Sequence, residues 1–313
     1  VVVITAPRHA EEIIENSSGH AAKFADQVSS VADSIDKVAL LVVDSIDDSR
    51  SVQVLSDSDI AFSFGAAWIF NDKHIDLCPN LLNMHCTTLP QWRGGGGLSW
   101  QILAGENRSA VTFHKVDAGV DTGDIVFTNS FYFPDGVATP KQRSEYLEKF
   151  AWATFRELVS DFASNGSLPA SRAQDECFSS YFPRLNSSVQ ACIDWRWSSS
   201  EIVRFITAFD DPYSGAFSFV AGSDAKFFLK KALVLRGESN FHPFQAGIVY
   251  RSNHSGLHIC ARDGAVLVEE VFDESGCSAL DRLKVGDRLF TTQADIDAAM
   301  SARFVYTAKG LKE

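Results

Sequence analysis

No two cysteines of this 313-residue chain are spaced C-x-x-C. Its six cysteines, Cys78, Cys86, Cys177, Cys192, Cys260 and Cys277, show no zinc-site spacing. They read as reduced, scattered thiols of a cytoplasmic protein, and no metal is expected. No apolar run approaches the ~20 residues of a membrane span, so no membrane partner is expected. Val1-Val2-Val3-Ile4-Thr5 is too short for a signal sequence and carries no cleavage site. There is no initiating Met, so the front reads as trimmed. Basic residues are also in short supply. The 28 Lys and Arg face 40 Asp and Glu, a net charge of −12. A protein that grips a phosphodiester backbone needs a basic footprint, so no nucleic acid partner is expected. A small anionic ligand needs only a local cluster of donors and stays allowed.

What is present is an ordinary globular composition, 45% hydrophobic with 24 Phe. At ~150 residues per domain the length predicts about two domains. Val1–Thr5, Val38–Val43, Asp59–Phe64 and Ala110–His114 read as strands, with a helix-compatible polar stretch between the first two. Strands alternating with helices predict an α/β fold with a mostly parallel sheet, whose ligands sit at the carboxyl ends of the strands. Leu147, Phe150, Ala151, Phe155, Leu158 and Phe162 predict a helix over 142–164, and the small, polar stretch 166–176 reads as a linker. Ser199 caps a further helix carrying Ile202, Phe205, Ile206 and Phe209. After it, short strands such as Gly247–Arg251 and Ala265–Val271 predict a small barrel or sandwich.

The chemistry concentrates in residues 81–126. Asn83 and His85 stand two apart at the end of a strand run, so they face one side. Cys86 faces the other side, which argues against a Cys–His nucleophile pair. A carboxylate from Asp117-Ala118-Gly119-Val120-Asp121-Thr122-Gly123-Asp124 can orient or charge the imidazole. An amide donor, a tunable base and an acid suit attack by an external nucleophile on a carbonyl. The acidic run lacks the Glu of a calcium loop. Gly94 to Gly97 lack the G-K-[ST] of a phosphate loop; they form either a flexible turn or a close approach to substrate.

Asn83-x-His85, Leu89-Pro90-x-x-Arg93-Gly94 and Val120-Asp121-Thr122-Gly123-Asp124 together resemble the folate-dependent formyltransferase family, with 36 residues from His85 to Asp121. Asp194-Trp195, Glu201-Ile202-x-x-Phe205-Ile206 and Asp211-Pro212-Tyr213-Ser214-Gly215-Ala216-Phe217 resemble the C-terminal domain of its longer members. The resemblance implies a Rossmann-like catalytic domain over 1–183 and a smaller β-rich, OB-like barrel domain over 184–313. It implies 10-formyltetrahydrofolate as formyl donor, an amine as acceptor, and Asn83, His85 and Asp121 as the catalytic trio. The segment with Ala67, Trp68 and Ile69, and the loop Asp117, Ala118, Gly119 and Val120, match the family's pterin-binding positions. Asn83 and His85 would steady the oxyanion, while Asp121 holds His85 and helps take the amine's proton.

Two features narrow the acceptor. The stretch before Asn83 is short for a methionyl-tRNA formyltransferase, and Asp44 to Asp59 is acidic. The region after 183 exceeds a glycinamide ribonucleotide transformylase. The expected acceptor is therefore a nucleotide-linked aminosugar, formylated for surface-polysaccharide synthesis. Methionyl-tRNA formyltransferase and 10-formyltetrahydrofolate hydrolase are the alternatives. Trp92, Arg93 and Gly94 are candidate substrate contacts, Arg93 serving either a phosphate or an internal ion pair. Trp92, Trp100, Phe182, Trp195 and Trp197 are either flat surfaces for a base or sugar, or core. A homodimer through the second domain is a family-level expectation.

Overall fold

A computed structural model of the chain describes residues 2–5, 39–65, 68–238, 240–304, 306–307 and 310–311. Strands β1 (Val2–Thr5) and β2 (Ala39–Val42) pair in parallel. The helix expected between them lies outside the described residues. Next come α1 (Ser49–Ser56), β3 (Ala61–Ser63), α2 (Asp72–Leu77) and β4 (Leu81–His85). These are followed by β5 (Arg93–Gly94), α3 (Gly97–Ala104), β6 (Arg108–Lys115) and β7 (Ile125–Tyr132). One sheet has the order β3-β4-β6-β7. Its β3–β4 pair is parallel, and β6 and β7 join antiparallel. No helix links β6 to β7, and only antiparallel neighbours can be joined without a crossover.

The expected long helix is α4 (Pro140–Asn165). Thr139 caps it, Gln142 completes the capping box, Pro140 occupies the first turn, and Gly166 at φ +67° ends it. Its Leu147, Ala151, Phe155 and Leu158 bury against Leu82, Val111 and Phe113 of the sheet. Phe62 meets Phe155 edge-on at 4.9 Å, fixing the helix over the strands that carry the site.

The remaining elements are β8 (Tyr181–Phe182), α5 (Ser187–Gln190), α6 (Ser199–Ala208), β9 (Ala216–Val220) and β10 (Lys226–Leu235). Strands β11 (Val249–Asn253), β12 (Gly256–Ala261), β13 (Gly264–Phe272) and β14 (Leu289–Phe290) precede α7 (Gln293–Ser301). Short strands β15 (Tyr306–Thr307) and β16 (Gly310–Leu311) end the described chain. The sheet β11-β12-β13-β10-β9-β14 is antiparallel throughout. Its edges meet at one end, where Val249 N donates to Asp287 O (2.9 Å) and Gly286 N to Val249 O (2.9 Å). That seam curls the sheet into the expected barrel-like form.

One cap is corrected. The first residue of the run 198–200, not the second, caps α6: Ser198 Oγ accepts from Glu201 N (3.3 Å), and Glu201 accepts from Ser198 N (2.8 Å). Ser199 already lies in the first turn. Helices α3 and α6 join the two halves: Ser99 donates to Ala208 O (2.9 Å) and Arg204 to Leu103 O (3.1 Å).

Candidate active site

The strand period puts Asn83 and His85 on one face of β4, and the antiparallel register places His114 of β6 directly opposite Asn83. The loop after β6 returns Asp121 to the same place. Asp121 Oδ2 lies 3.5 Å from His85 Nδ1, and Oδ1 lies 3.4 Å from His114 Nε2 and 3.5 Å from Asn83 Nδ2. Gly94 N donates to Asp121 Oδ2 at 2.9 Å. The three residues expected from the motifs therefore converge, together with a second histidine that the sequence reading did not single out.

The partners assign the tautomer of His85. His85 Nε2 is 2.6 Å from the Trp92 carbonyl, which only accepts, so Nε2 carries a hydrogen. Thr87 Oγ1 sits 2.6 Å from the same nitrogen and donates to Trp92 O at 2.9 Å. The Nδ1 lone pair of neutral His85 thus faces Asp121. His114 Nδ1 lies 2.8 Å from Lys115 O and donates to it, while its Nε2 lies 3.2 Å from Asn83 Nδ2 and 3.4 Å from Asp121 Oδ1.

Burial holds the His85 imidazole below its ordinary value, against the pull of Asp121. Burial alone would raise the Asp121 carboxyl. The hydrogen bond from His114, the nearby His85 and the Gly94 N–H outweigh it, so Asp121 lies below the usual carboxylate range. The site at neutral pH is a neutral imidazole beside a carboxylate. Burial also pushes the neighbouring Cys86 thiol up to about 11, which keeps it protonated.

The other expected residues divide. The Trp92 ring stacks on Phe182 at 4.9 Å, and Trp100 leans on the same ring at 5.4 Å. Trp195 is buried, donates to Ser218 Oγ (2.9 Å) and belongs to the core; Trp197 packs against that core. Of the two readings of Arg93, the internal ion pair is formed in this structure. Arg93 is buried and donates to Gln174 Oε1 (3.1 and 2.9 Å) and to Glu176 (3.0 and 2.7 Å). Gly94 serves through its backbone, and a Cβ there would strike the Phe182 carbonyl. Ala67 lies outside the described residues. Trp68 donates to Asp44 O (3.3 Å), whereas Ile69 is exposed. Asp117 accepts from Thr122 (2.6 Å) and Gly119 N (3.2 Å), shaping a loop on which Ala118 and Val120 are exposed. A groove beside this loop is lined by Ile75, Pro79, Val116, Lys115, Asp117 and Asp124.

Residues 56–135 match the family described as Formyl transferase, and residues 187–281 match Formyl transferase, C-terminal domain. A methionyl-tRNA formyltransferase of Desulfotalea psychrophila is 27% identical over 201 residues, 64% of this chain and 59% of that protein. One from Geotalea uraniireducens is 29% identical over 190 residues, 61% and 57%. The chain thus spans less than two thirds of the length of these curated relatives. An N-formyltransferase from Helicobacter canadensis, solved with folinic acid and dTDP-3-aminofucose, superposes with a TM-score of 0.61 at 19% identity. It covers 86% of this chain and 98% of its own. HypX from Aquifex aeolicus, solved with tetrahydrofolic acid, gives 0.57 at 20% identity, over 77% and 40%. Both likenesses are of fold.

Proposed function

This chain belongs to the folate-dependent formyltransferase family, and from that premise we propose that it is an N-formyltransferase using 10-formyltetrahydrofolate and a nucleotide-linked aminosugar. The observation that carries the reading is the convergence of Asn83, His85 and Asp121 at the carboxyl-terminal part of β4. The reading puts this chemistry in residues 1–183, with 184–313 as a β-rich companion.

In this reading the groove beside Asp117 takes the pterin. Ile75, Pro79 and Val116 offer apolar walls for a flat ring, and Asp117 and Asp124 offer acceptors for its N–H groups. Bound there, the donor supplies an activated formyl group. Asn83 directs an amide N–H at the formyl oxygen as it gains charge; its long 3.5 Å contact to Asp121 is the one readily exchanged. His85 Nδ1 and Asp121 Oδ2 face each other across 3.5 Å; a proton released by the attacking amine is stabilised between them and returns to the donor's nitrogen as its bond to the formyl carbon breaks, releasing tetrahydrofolate. Trp92 O and Thr87 hold the far side of the imidazole, so the ring does not turn away. The amine must arrive neutral, because an ammonium has no lone pair.

The small acceptor is favoured by charge. The net charge is −12, and near the acidic stretch Arg50 is engaged by Asp48 (2.9 Å) and Lys73 by Asp47 (3.4 Å). The test is incubation with 10-formyltetrahydrofolate and a panel of aminosugar nucleotides, read by mass spectrometry for a formyl gain. Initiator Met-tRNA and a no-acceptor arm run beside it. Formylation of tRNA alone rejects the aminosugar; donor loss without acceptor assigns a hydrolase.

A further inference from the structure

Asp121 adopts φ +56°, the left-handed region that residues with a side chain adopt only uncommonly. What holds it is a side chain from the segment read as a linker. Gln174 Nε2 donates to Asp121 O at 2.8 Å and to Gly123 O at 2.7 Å, stapling both ends of the turn with one amide. The orientation of that amide is not ambiguous. Its Oε1 faces Arg93, which can only donate, so its nitrogen must face the two carbonyls. Arg93 is fixed in turn by Glu176, and its neighbour Gly94 donates to Asp121 Oδ2. The contacts close a ring: carboxylate to Gly94, Gly94 to Arg93 along the chain, Arg93 to Gln174, and Gln174 back to the Asp121 carbonyl. Backbone and carboxylate of one residue are gripped from opposite ends of a single Arg-Gly pair.

We infer that Gln174 is a positioning residue, which sets Asp121 against His85 and His114 through the Asp121 main chain. The inference deepens the proposed formyl transfer and rests on it for its kinetic consequence. Among the described residues Gln174 bonds to main-chain carbonyls and to Arg93, so it has no part in bond making. Without the staple the turn relaxes, and the carboxylate leaves Asn83, His85, His114 and the Gly94 N–H together.

Two variants test this. Gln174→Glu keeps the acceptor for Arg93 and turns an oxygen on the two carbonyls; Gln174→Met keeps the length and offers no donor. In each, the Asp121 carboxyl is titrated by carbon-13 NMR, with kcat and KM measured beside it. The expected result is a folded protein whose Asp121 midpoint rises by about one pH unit, the size of a typical environmental shift. The kcat is expected to fall ~10²-fold, as for a misplacement of about 1 Å, with KM for the formyl donor changed far less. An unmoved Asp121 midpoint overturns the positioning role, whatever happens to kcat. Loss of the cooperative melt in both variants assigns Gln174 to stability instead, which also overturns it. If the unaltered protein transfers no formyl group, the functional reading fails, while the titration still decides the role of Gln174.

Discussion

Asp121 carries the most connections of any side chain at the site, and its removal makes the clearest single-residue prediction. Asp121→Asn keeps the shape and removes the charge. Formyl transfer should fall ~10²–10⁴-fold, the usual worth of a positioned acid–base group. The same substitution removes the attraction that opposes burial at His85. The His85 titration, followed by nitrogen-15 NMR, should therefore move further down; a move upward would show that Asp121 is not its main electrostatic partner. The direction also fixes a pH profile. His85 is buried neutral with a folded value below the unfolded ~6.5, so the unfolded state binds its proton first as pH drops. Stability should therefore decline below pH ~6.5, and activity should persist somewhat below that point before falling as His85 and then Asp121 protonate. Urea midpoints and kcat between pH 4 and 8 check both. Asn83 and His85 were legible as a same-face pair because a strand repeats every two residues; the acidic run offered several carboxylates, and the family resemblance singled out Asp121 among them. His114 was not, since its partner Asn83 is 31 positions away and only the antiparallel register joins them. Gln174 was hidden too, standing 53 positions from Asp121 in a stretch whose composition reads as linker.

Elements matter here because β5 is squeezed between the site and β8. Arg93 and Gly94 pair in parallel with Tyr181 and Phe182, so the segment after α4 is a wall of the site's own loop. Gly94 has φ +95°, and an added Cβ would run into the Phe182 carbonyl and the Tyr181 ring. Gly136 has a similar φ of +89° but open space around its Cβ position. The pair separates crowding from backbone strain. Gly136→Ala should cost about 1–2 kcal/mol in urea unfolding, from the left-handed conformation alone. Gly94→Ala should cost a further 1–3 kcal/mol, roughly, for overpacking, and should also lower kcat, because its N–H aims the Asp121 carboxylate. Equal stability losses with kcat unchanged in both would separate β5 from the chemistry. The extents of helices were readable from caps and apolar spacing, as for α4. Strand direction in the β3-β4-β6-β7 sheet was not, because apolar runs look alike whichever way a neighbour runs.

At the scale of the whole molecule, sequence kinship and electrostatics point to different acceptors. The curated relatives at 27% and 29% identity are methionyl-tRNA formyltransferases. A tRNA carries a phosphate at every nucleotide, and holding it means neutralising several of them with Lys and Arg. This chain has 28 such residues against 40 acids, and cations beside the acidic stretch are engaged by it, as Arg50 is by Asp48. A nucleotide-linked sugar asks for far less, since a few donors suffice for a diphosphate. The expected outcome is that initiator tRNA, titrated by fluorescence anisotropy at about 150 mM salt, binds no tighter than the non-specific range of roughly 10⁻⁴–10⁻⁶ M. Aminosugar nucleotide affinity should fall only modestly with salt, because few phosphate charges are neutralised. A tRNA affinity well below micromolar, with a steep inverse dependence on salt, would mean that basic residues gather on one face despite the net charge. The relatives' substrate would then be the better guide to this protein's own.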